Sequence, residues 1–440
     1  MSHRYERNPD HIRRRHVPAP ENAAITKHLS ELLSPIVYSQ QAYYRTLGMR
    51  ERILTLPLMV AAVVTLLWRQ VPSVGELTRM LNRDDLLWAK AVSVSRQSVS
   101  ERFLGFPYGL FERVFRDLMP TLKARWAQRE RPIPASVVHA RQHFEQIWVA
   151  DGSVLEALFR KLKSLHDCPT GQLAGKICTV IELGSQLPVE VWFTEAAKAH
   201  DAQFLERLLA LATAKTLLIL DRGFYDFEWW SRLIAQQTQF ICAAKSNLAY
   251  NVTQTLSLTP GLKDQLIQVT LKTPEKSVLT LRLIEVRYSK GWYRYLTSVL
   301  DPEVLPPYGV IDLYARRWRI EDAFHLVKRL LGLAYLWTGS LNGINLQIWA
   351  TWLMYAVLVD LSDAVAEAVQ LPVERISMEM VWRGLYHFNQ AYNRGLATDP
   401  VAYLAAPENR DLGVVKVIRK PPKTLDLRPY LGILANPLDQ

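Results

Sequence analysis

The sequence predicts a mixed α/β protein with a helical N-terminal domain, a central α/β domain carrying a β-rich insertion, and a mainly helical C-terminal region. Three observations lead to this fold class. Residues 21–131 have helical periodicity throughout. Between residues 146 and 220, short apolar runs are followed by a helical segment and another apolar run, as in a layered α/β fold. Residues 265–300 show the apolar–polar alternation of antiparallel hairpins.

Length, charge and cysteine content limit the class of protein. A chain of 440 residues predicts two or three domains. Its net charge of +11 favours a polyanionic partner, and nucleic acid is the first candidate. Three cysteines in no metal-ligand spacing, and no apolar core in the first twenty residues, indicate a reduced cytoplasmic compartment. We expect no membrane partner, because the run 56–68 is too short to span a bilayer and the richer run 344–359 is interrupted by polar residues.

Residues 1–20 are rich in arginine and predict a flexible basic arm, with a plain solvated tail as the alternative. Residues 21–135 form the predicted helical domain. Within it, the segments Ser73–Leu81 and Ser95–Phe103 resemble the two helices of a helix-turn-helix DNA reader. Arg96 and Arg102 of the second segment are the candidate DNA contacts. The connection is longer than a tight turn, so a plain helical bundle remains open.

Two acidic residues follow two predicted buried strands. The apolar run 146–150 ends in Asp151-Gly152, and the run 216–220 ends in Asp221, with a glycine two residues later. Open α/β sheets place their sites at the carboxyl ends of such strands. Either aspartate alone would more often belong to an ordinary turn. Their repetition favours a shared site.

The segment 313–328, read as one helix, places Tyr314, Arg317, Glu321 and Lys328 in a narrow stripe beside an apolar face. A carboxylate held between two cations is suited to a metal ion beside phosphates. The alternative is an ordinary surface stripe in which Arg317 and Glu321 form an i,i+4 pair.

The three acids and this stripe resemble a known signature. Tyr314, Arg317, Glu321 and Lys328 have the spacing found in bacterial insertion-sequence transposases of the DDE class, in the fourth insertion-sequence family, and the segment 221–224 is similar to that family's second-aspartate motif. The resemblance implies a ribonuclease H-like catalytic domain (140–240 and 308–362) with a β insertion (241–307). It also implies that the N-terminal domain binds the element's ends and that region 363–440 serves pairing in a homodimer.

The expected chemistry is cleavage and transfer of phosphodiesters. Two divalent cations would activate the attacking oxygen and stabilise the leaving one. We expect Mg²⁺, with Mn²⁺ able to replace it, held by Asp151 on both ions and by Asp221 and Glu321 on one each. Arg317 and Lys328 would grip phosphates of double-stranded DNA, at the element's ends and in the target, and Tyr314 would bond a phosphate or orient Glu321. Nucleoid association in the cytoplasm follows from this expectation.

Trp292 lies at a predicted hairpin turn of the insertion. Transposases that resemble this chain and cut through a hairpin need an aromatic to hold a flipped base, and Trp292 is the candidate; packing on the sheet beneath is the alternative. Two other functions are alternatives. A two-carboxylate hydrolase such as a glycosidase leaves the basic charge unexplained. An inactive, transposase-derived DNA-binding protein fits the charge, but the intact triad argues against it.

Overall fold

The computed structural model describes residues 22–49, 51–71, 73–155, 175–196, 200–272, 277–288, 291–333, 337 and 340–417. The predicted basic arm and residues 418–440 of the C-terminal region therefore lie outside the described residues. The chain divides into two compact units. The helical unit comprises residues 1–131, 155–175 and 323–416, and the sheet unit comprises residues 132–154, 176–322 and 417–440.

The sheet is mixed and nine-stranded, in the order β3-β2-β1-β4-β5-β9-β8-β7-β6. Its strands are β1 Gln146–Leu155, β2 Gly175–Glu182, β3 Pro188–Thr194, β4 Thr216–Leu220, β5 Gln239–Ala243, β6 Asn251–Thr259, β7 Leu262–Thr270, β8 Val278–Tyr288 and β9 Gly291–Thr297. β1, β4 and β5 run parallel, whereas β5 through β9 pair antiparallel. The predicted mixed α/β fold class is confirmed.

The β-rich segment is joined to the same sheet, because β9 pairs with β5. The predicted hairpin strands β7, β8 and β9 are present with bounds close to those expected. β6 had no bounds predicted for it. It is an edge strand of the sheet, and most of its side chains are exposed.

The two faces of the central strands are distinct. Trp148, Ala150, Leu218 and Leu220 point into one hydrophobic core, which also contains residues of the flanking helices Leu205–Leu211 and Phe227–Ala235. Successive side chains of a strand alternate between faces. The residue that follows each of Ala150 and Leu220 is therefore directed to the opposite face. Further helices described in the sheet unit are Ala135–Ala140, Pro307–Ala315 and the first part of Trp318–His325.

The helical unit is built around the 28-residue helix Leu341–Ala368. Phe115 packs on Trp349 with ring centroids 5.3 Å apart, and Arg129 bonds Asp360 at 2.7 Å and Asp363 at 2.9 Å. The helices that complete this unit are Ala23–Ser39, Gln41–Thr46, Leu56–Trp68, Val74–Leu81, Arg96–Gly105, Tyr108–Gln128, Met378–Asn393 and Pro400–Ala405.

Within the described residues, Leu341–Ala368 is the one helix that is long and apolar enough to cross a bilayer. Its apolar window is 94% buried inside the protein, as expected for the central helix of a folded core. The second apolar run, Leu56–Trp68, is a shorter buried helix, as the sequence predicts.

The two segments compared with a helix-turn-helix in the sequence form the helices Val74–Leu81 and Arg96–Gly105. Ser73 and Ser95 cap them by accepting hydrogen bonds from the backbone N–H groups of Glu76 and Ser98. The long connection is ordered by the Asn82 side chain, which both donates to and accepts from the backbone of Val94. The two helices are thus joined by a structured loop instead of a tight turn.

Candidate active site

Asp151 and Asp221 stand side by side at one edge of the parallel strands. In the β1–β4 pairing, Ala150 lies opposite Leu220, so the next residue on each strand is an aspartate. Both carboxylates leave the sheet on the face opposite the Trp148 core, by the alternation of the strands. Asp221 follows the end of β4, as the sequence predicts, whereas Asp151 lies within β1, which continues to Leu155. The two aspartates are neighbours because the parallel pairing of β1 with β4 ends at the residues before them.

The segment 313–328 differs from the single helix that its periodicity predicts. One helix ends at Ala315, the next begins at Trp318 and ends at His325, and a π-helical turn spans Leu326–Leu330. At the break, the N–H of Arg317 bonds the carbonyl of Tyr314, an i→i−3 contact, instead of continuing the i→i−4 ladder. The predicted continuous stripe is therefore wrong, and Arg317 lies between two helices.

Arg317 lies among all three acidic residues. Its Nη1 donates to Asp151 Oδ2 at 2.8 Å and lies 3.9 Å from Glu321 Oε1, while its Nη2 lies 3.6 Å from Asp221 Oδ1. Three carboxylates from three separate elements thus converge on one guanidinium. The acids are 70 and 100 positions apart in sequence, and the fold brings them within ion-pair distance of a single cation.

The three carboxylates differ in exposure. The Asp151 side chain is 9% exposed, against 40% for Asp221 and 44% for Glu321. Burial, together with the negative charges of Asp221 and Glu321, raises the pKa of Asp151 to about 7, although Arg317 acts in the opposite direction. Burial disfavours the charged form of Arg317, yet the surrounding carboxylates outweigh it and its pKa stands above the ordinary value. The site is anchored at Asp151 and opens to solvent at the other two acids.

Tyr314 and Lys328 are placed differently from each other. The Tyr314 ring is partly buried against Tyr295, with centroids 5.1 Å apart, and lies 5.9 Å from Arg317 Cζ. Burial raises the pKa of Tyr314 well above its ordinary value, so the phenol keeps its proton at neutral pH and can donate a hydrogen bond. Lys328 belongs to the helical unit, in the π-helical turn, where its Nζ lies 6.0 Å from the centroid of the Phe324 ring.

Two residues beside the acids were not singled out from the sequence. Trp318, which follows Arg317, has 64% of its surface exposed, with its ring 5.4 Å from Arg317 Cζ. Asp201 lies beside Gly152 and Gly223, the glycines that follow the two aspartates. A glycine within a strand can mark a close approach of another group. That signal was present in the sequence, although it does not say which residue approaches.

The two candidate DNA contacts of the helical unit also differ. Arg96 is exposed on the first turn of its helix, and its guanidinium lies near Gly75. Arg102 is half-buried. It donates to the hydroxyl of Tyr44 and, at 3.1 Å, to the carbonyl of Leu54. Its guanidinium therefore contributes hydrogen bonds within the helical unit.

Trp292 lies at the start of β9 with 41% of its surface exposed. Its ring faces Lys263, whose Nζ lies 4.8 Å from the ring centroid. Lys290, on the predicted turn next to it, lies outside the described residues. One face of the indole is thus in contact with a long flexible cation.

The donor set of the site fits a divalent cation. Mg²⁺ takes hard oxygen ligands and keeps several of its waters, so three carboxylates suffice for its binding. A positive group already lies among these acids, since the guanidinium of Arg317 is within 3.9 Å of each. Across the described ranges, no three His, Cys, Asp or Glu side chains are drawn together as ligands of one ion. In this structure the three carboxylates thus share a guanidinium as their common partner.

A family comparison covers this part of the chain. Residues 142–357 match the family described as "Transposase DDE domain", a range that contains Asp151, Asp221 and Glu321.

Two relatives are also similar. The putative transposase y4zB of Sinorhizobium fredii is 26% identical over 196 residues, which are 43% of this chain and 54% of that protein. The probable transposase for insertion sequence element IS5377 of Geobacillus stearothermophilus is 22% identical over 227 residues, which are 47% of this chain and 58% of that protein. The chain thus spans a little over half the length of both. Among solved structures, it is similar to the piggyBac transposase synaptic complex with hairpin DNA, with 12% identity, a TM-score of 0.39, and coverage of 93% of this chain and 91% of that one.

Proposed function

We propose that this protein is a DNA transposase that cuts at the ends of its own insertion sequence and transfers the 3′ ends to target DNA. A transposase of the DDE class is what the family match and both relatives support. The observation that carries the proposal is the convergence of Asp151, Asp221 and Glu321 on one cationic group, inside the matched range.

The three acids are proposed to hold divalent metal, Mg²⁺ in the first place and Mn²⁺ in substitution. When bound, two such ions would supply an activated oxygen nucleophile and stabilise the leaving oxygen. Asp151, buried on β1, is suited to a fixed ligand shared by both positions. Asp221 and Glu321 are accessible from solvent, so each is proposed to serve as a ligand of one of the two ions.

The cationic and aromatic groups around the acids are proposed to position DNA. Arg317 is the nearest cation, and once it leaves the carboxylates its fork of donors can bind a phosphate in two places. Tyr314 keeps its proton and can donate to a phosphate oxygen. Lys328 is proposed as a second phosphate contact, and the exposed indole of Trp318 offers a stacking surface next to Arg317.

The remaining parts of the proposal concern the fold and assembly. The parallel strands that carry both aspartates, and the antiparallel strands added beyond β5, support a ribonuclease H-like core with a β insertion. Recognition of the element's ends is assigned to the helical domain 21–135, with Arg96 as the exposed candidate contact. Pairing of two copies through region 363–440, the fourth insertion-sequence family, and association with the nucleoid are proposed from the resemblance.

The test is cleavage of a labelled duplex that carries the inverted repeats flanking the coding sequence in its genome. With the full-length protein and Mg²⁺ we expect nicks at the element's ends and, with a target plasmid present, joined products. Chelation should stop both reactions. Retention of the duplex without any nick would instead identify an inactive DNA-binding descendant, and activity that persists after chelation would contradict the metal-dependent mechanism.

A further inference from the structure

The carboxylate of Asp201 lies against Gly152 of β1 and against Gly223 of the turn Arg222–Phe224, beside the first two acids. A Cβ added to Gly152 would overlap Asp201 Oδ1 and come within 2.8 Å of Lys176 Cε. A Cβ added to Gly223 would lie 2.5 Å from Asp201 Oδ2 and 3.2 Å from its Cγ. One carboxylate thus fills the space of two missing side chains. Gly152 follows Asp151 directly, and Gly223 follows Asp221 by two residues.

Backbone conformation does not explain these two glycines. Neither has the positive φ that favours glycine, in contrast to Gly175 with a φ of 147°. What both positions share is the close approach of Asp201. The requirement for glycine after each aspartate is therefore a requirement for space.

Asp201 is itself held in place from two sides. Lys176 of β2 forms an ion pair with Asp201 Oδ1 at 2.7 Å, and both side chains are mostly buried. Asp201 also begins the short 3₁₀ turn Asp201–Phe204, whose Phe204 is fully buried in the core. That turn lies against the turn Arg222–Phe224, directly after Asp221. A side chain fixed in this way can fix the positions of Gly152 and Gly223, and with them those of Asp151 and Asp221.

We infer that Asp201, paired with Lys176, is a positioning residue that sets the separation of Asp151 and Asp221 by packing against Gly152 and Gly223. The consequence for metal binding rests on the proposed function, in which these two aspartates are ligands. Groups that orient metal ligands, without touching the metal, commonly change metal affinity by about 10- to 100-fold when they are altered.

A size-compensation experiment tests this inference. In the full-length protein, Gly152→Ala places a methyl group where Asp201 lies and should weaken Mn²⁺ binding by about 10-fold or more. Asp201→Ala should weaken Mn²⁺ binding as well, because Gly152 and Gly223 lose the side chain that packs against them. The double variant Gly152→Ala with Asp201→Ala should bind Mn²⁺ better than Gly152→Ala alone, since the methyl group then occupies the vacated space. Gly223→Ala should show the same coupling to Asp201→Ala.

Binding is measured without DNA, from the electron paramagnetic resonance signal of free Mn²⁺, together with thermal unfolding of each variant. Gly261→Ala is the matched control, because a Cβ there meets no atom within 4 Å. Asp201→Asn keeps the shape and should retain most of the affinity. A purely structural role would lower the melting temperature of Asp201→Ala and leave the Mn²⁺ affinity of the folded protein unchanged, and this result would overturn the inference. The inference would also fall if the effects of the glycine and Asp201 substitutions on Mn²⁺ affinity simply added in the double variants.

Asp151→Asn separates this inference from the proposed function. If the unaltered protein and Asp201→Ala bind Mn²⁺ equally well and Asp151→Asn does not bind it, the positioning role alone falls. If binding is insensitive to Asp151→Asn, the metal-ligand assignment falls, and the positioning role falls with it.

Discussion

Arg317 Nη1 donates to Asp151 Oδ2 at 2.8 Å, so the residue between two helices is bonded to a residue of the central strand β1, 166 positions earlier. Both side chains are more than nine-tenths buried. A guanidinium buried at such a point needs acidic partners, and it has three. The three acids differ in their surroundings: Asp151 is buried on β1, while Asp221 and Glu321 are partly exposed to solvent.

The first prediction concerns the three acids. Asp151→Asn, Asp221→Asn and Glu321→Gln should each abolish strand cleavage and leave binding of the element's ends nearly unchanged, because a metal ligand is lost while phosphate contacts elsewhere dominate affinity. Cleavage and gel-shift assays on the same duplex measure the two effects. Asp322→Asn is the matched control: this exposed neighbour of Glu321 pairs with Arg319 and should cleave normally. Near wild-type cleavage by Glu321→Gln would contradict the assignment.

The second prediction follows from the raised pKa of Asp151. An unfolded aspartate titrates near 4 and the folded one at about 7, so the folded state holds a proton that the unfolded state has lost across that window. The stability that this group contributes is fully present below about pH 4 and is lost as the pH rises through 7. A shift of this size corresponds to about 4 kcal/mol at most.

Urea unfolding of chelator-treated protein between pH 4 and pH 8 measures this effect. The free energy of unfolding should fall with pH more steeply in the unaltered protein than in Asp151→Asn, whose amide does not titrate. Equal slopes for the two proteins would show that Asp151 has an ordinary pKa in the folded state.

The third prediction distinguishes the two arginines of the helical domain. Arg96→Ala should weaken binding of the element's ends and reduce the slope of log affinity against log salt by about one, as expected for one lost phosphate contact. Arg102→Ala should instead lower the melting temperature, because it removes hydrogen bonds to Tyr44 and to the Leu54 carbonyl. Fluorescence anisotropy across a salt series and thermal unfolding separate the two outcomes.

These variants belong in the full-length protein. Within the helical unit, Phe115 packs on Trp349, and Arg129 is paired with Asp360 and Asp363. A fragment ending at residue 135 would lack these three partners. A change in salt slope for Arg102→Ala, with none for Arg96→Ala, would reverse the assignment of the two residues.

What could be predicted from the sequence depended on local patterns. Asp151 and Asp221 were found because each ends an apolar run, and parallel pairing then places them side by side. The position of Arg317 among all three acids was not predicted, because the helical arithmetic assumed an unbroken helix, whereas the chain turns at Arg316–Arg317. Asp201 was missed for a different reason: its role depends on packing between distant segments, which leaves only two glycines as a trace in the sequence.

The last prediction concerns Trp292. Its ring is 41% exposed and is covered by Lys263, a side chain that can move aside when a base approaches. Stacking of a base on an aromatic ring is worth about 1–3 kcal/mol, or roughly 5- to 150-fold in rate or affinity. We therefore expect Trp292→Ala to leave first-strand nicking intact and to slow the following step by about one to two orders of magnitude. Single-turnover assays that resolve the two steps measure this.

Two variants serve as controls for Trp292→Ala. Trp292→Phe, which keeps a stacking surface, should recover much of the rate of the second step. Lys263→Met, which removes the charge next to the ring, should not slow that step as Trp292→Ala does. If Trp292→Ala instead lowers nicking and the melting temperature together, the indole serves the fold of the insertion and not the handling of DNA.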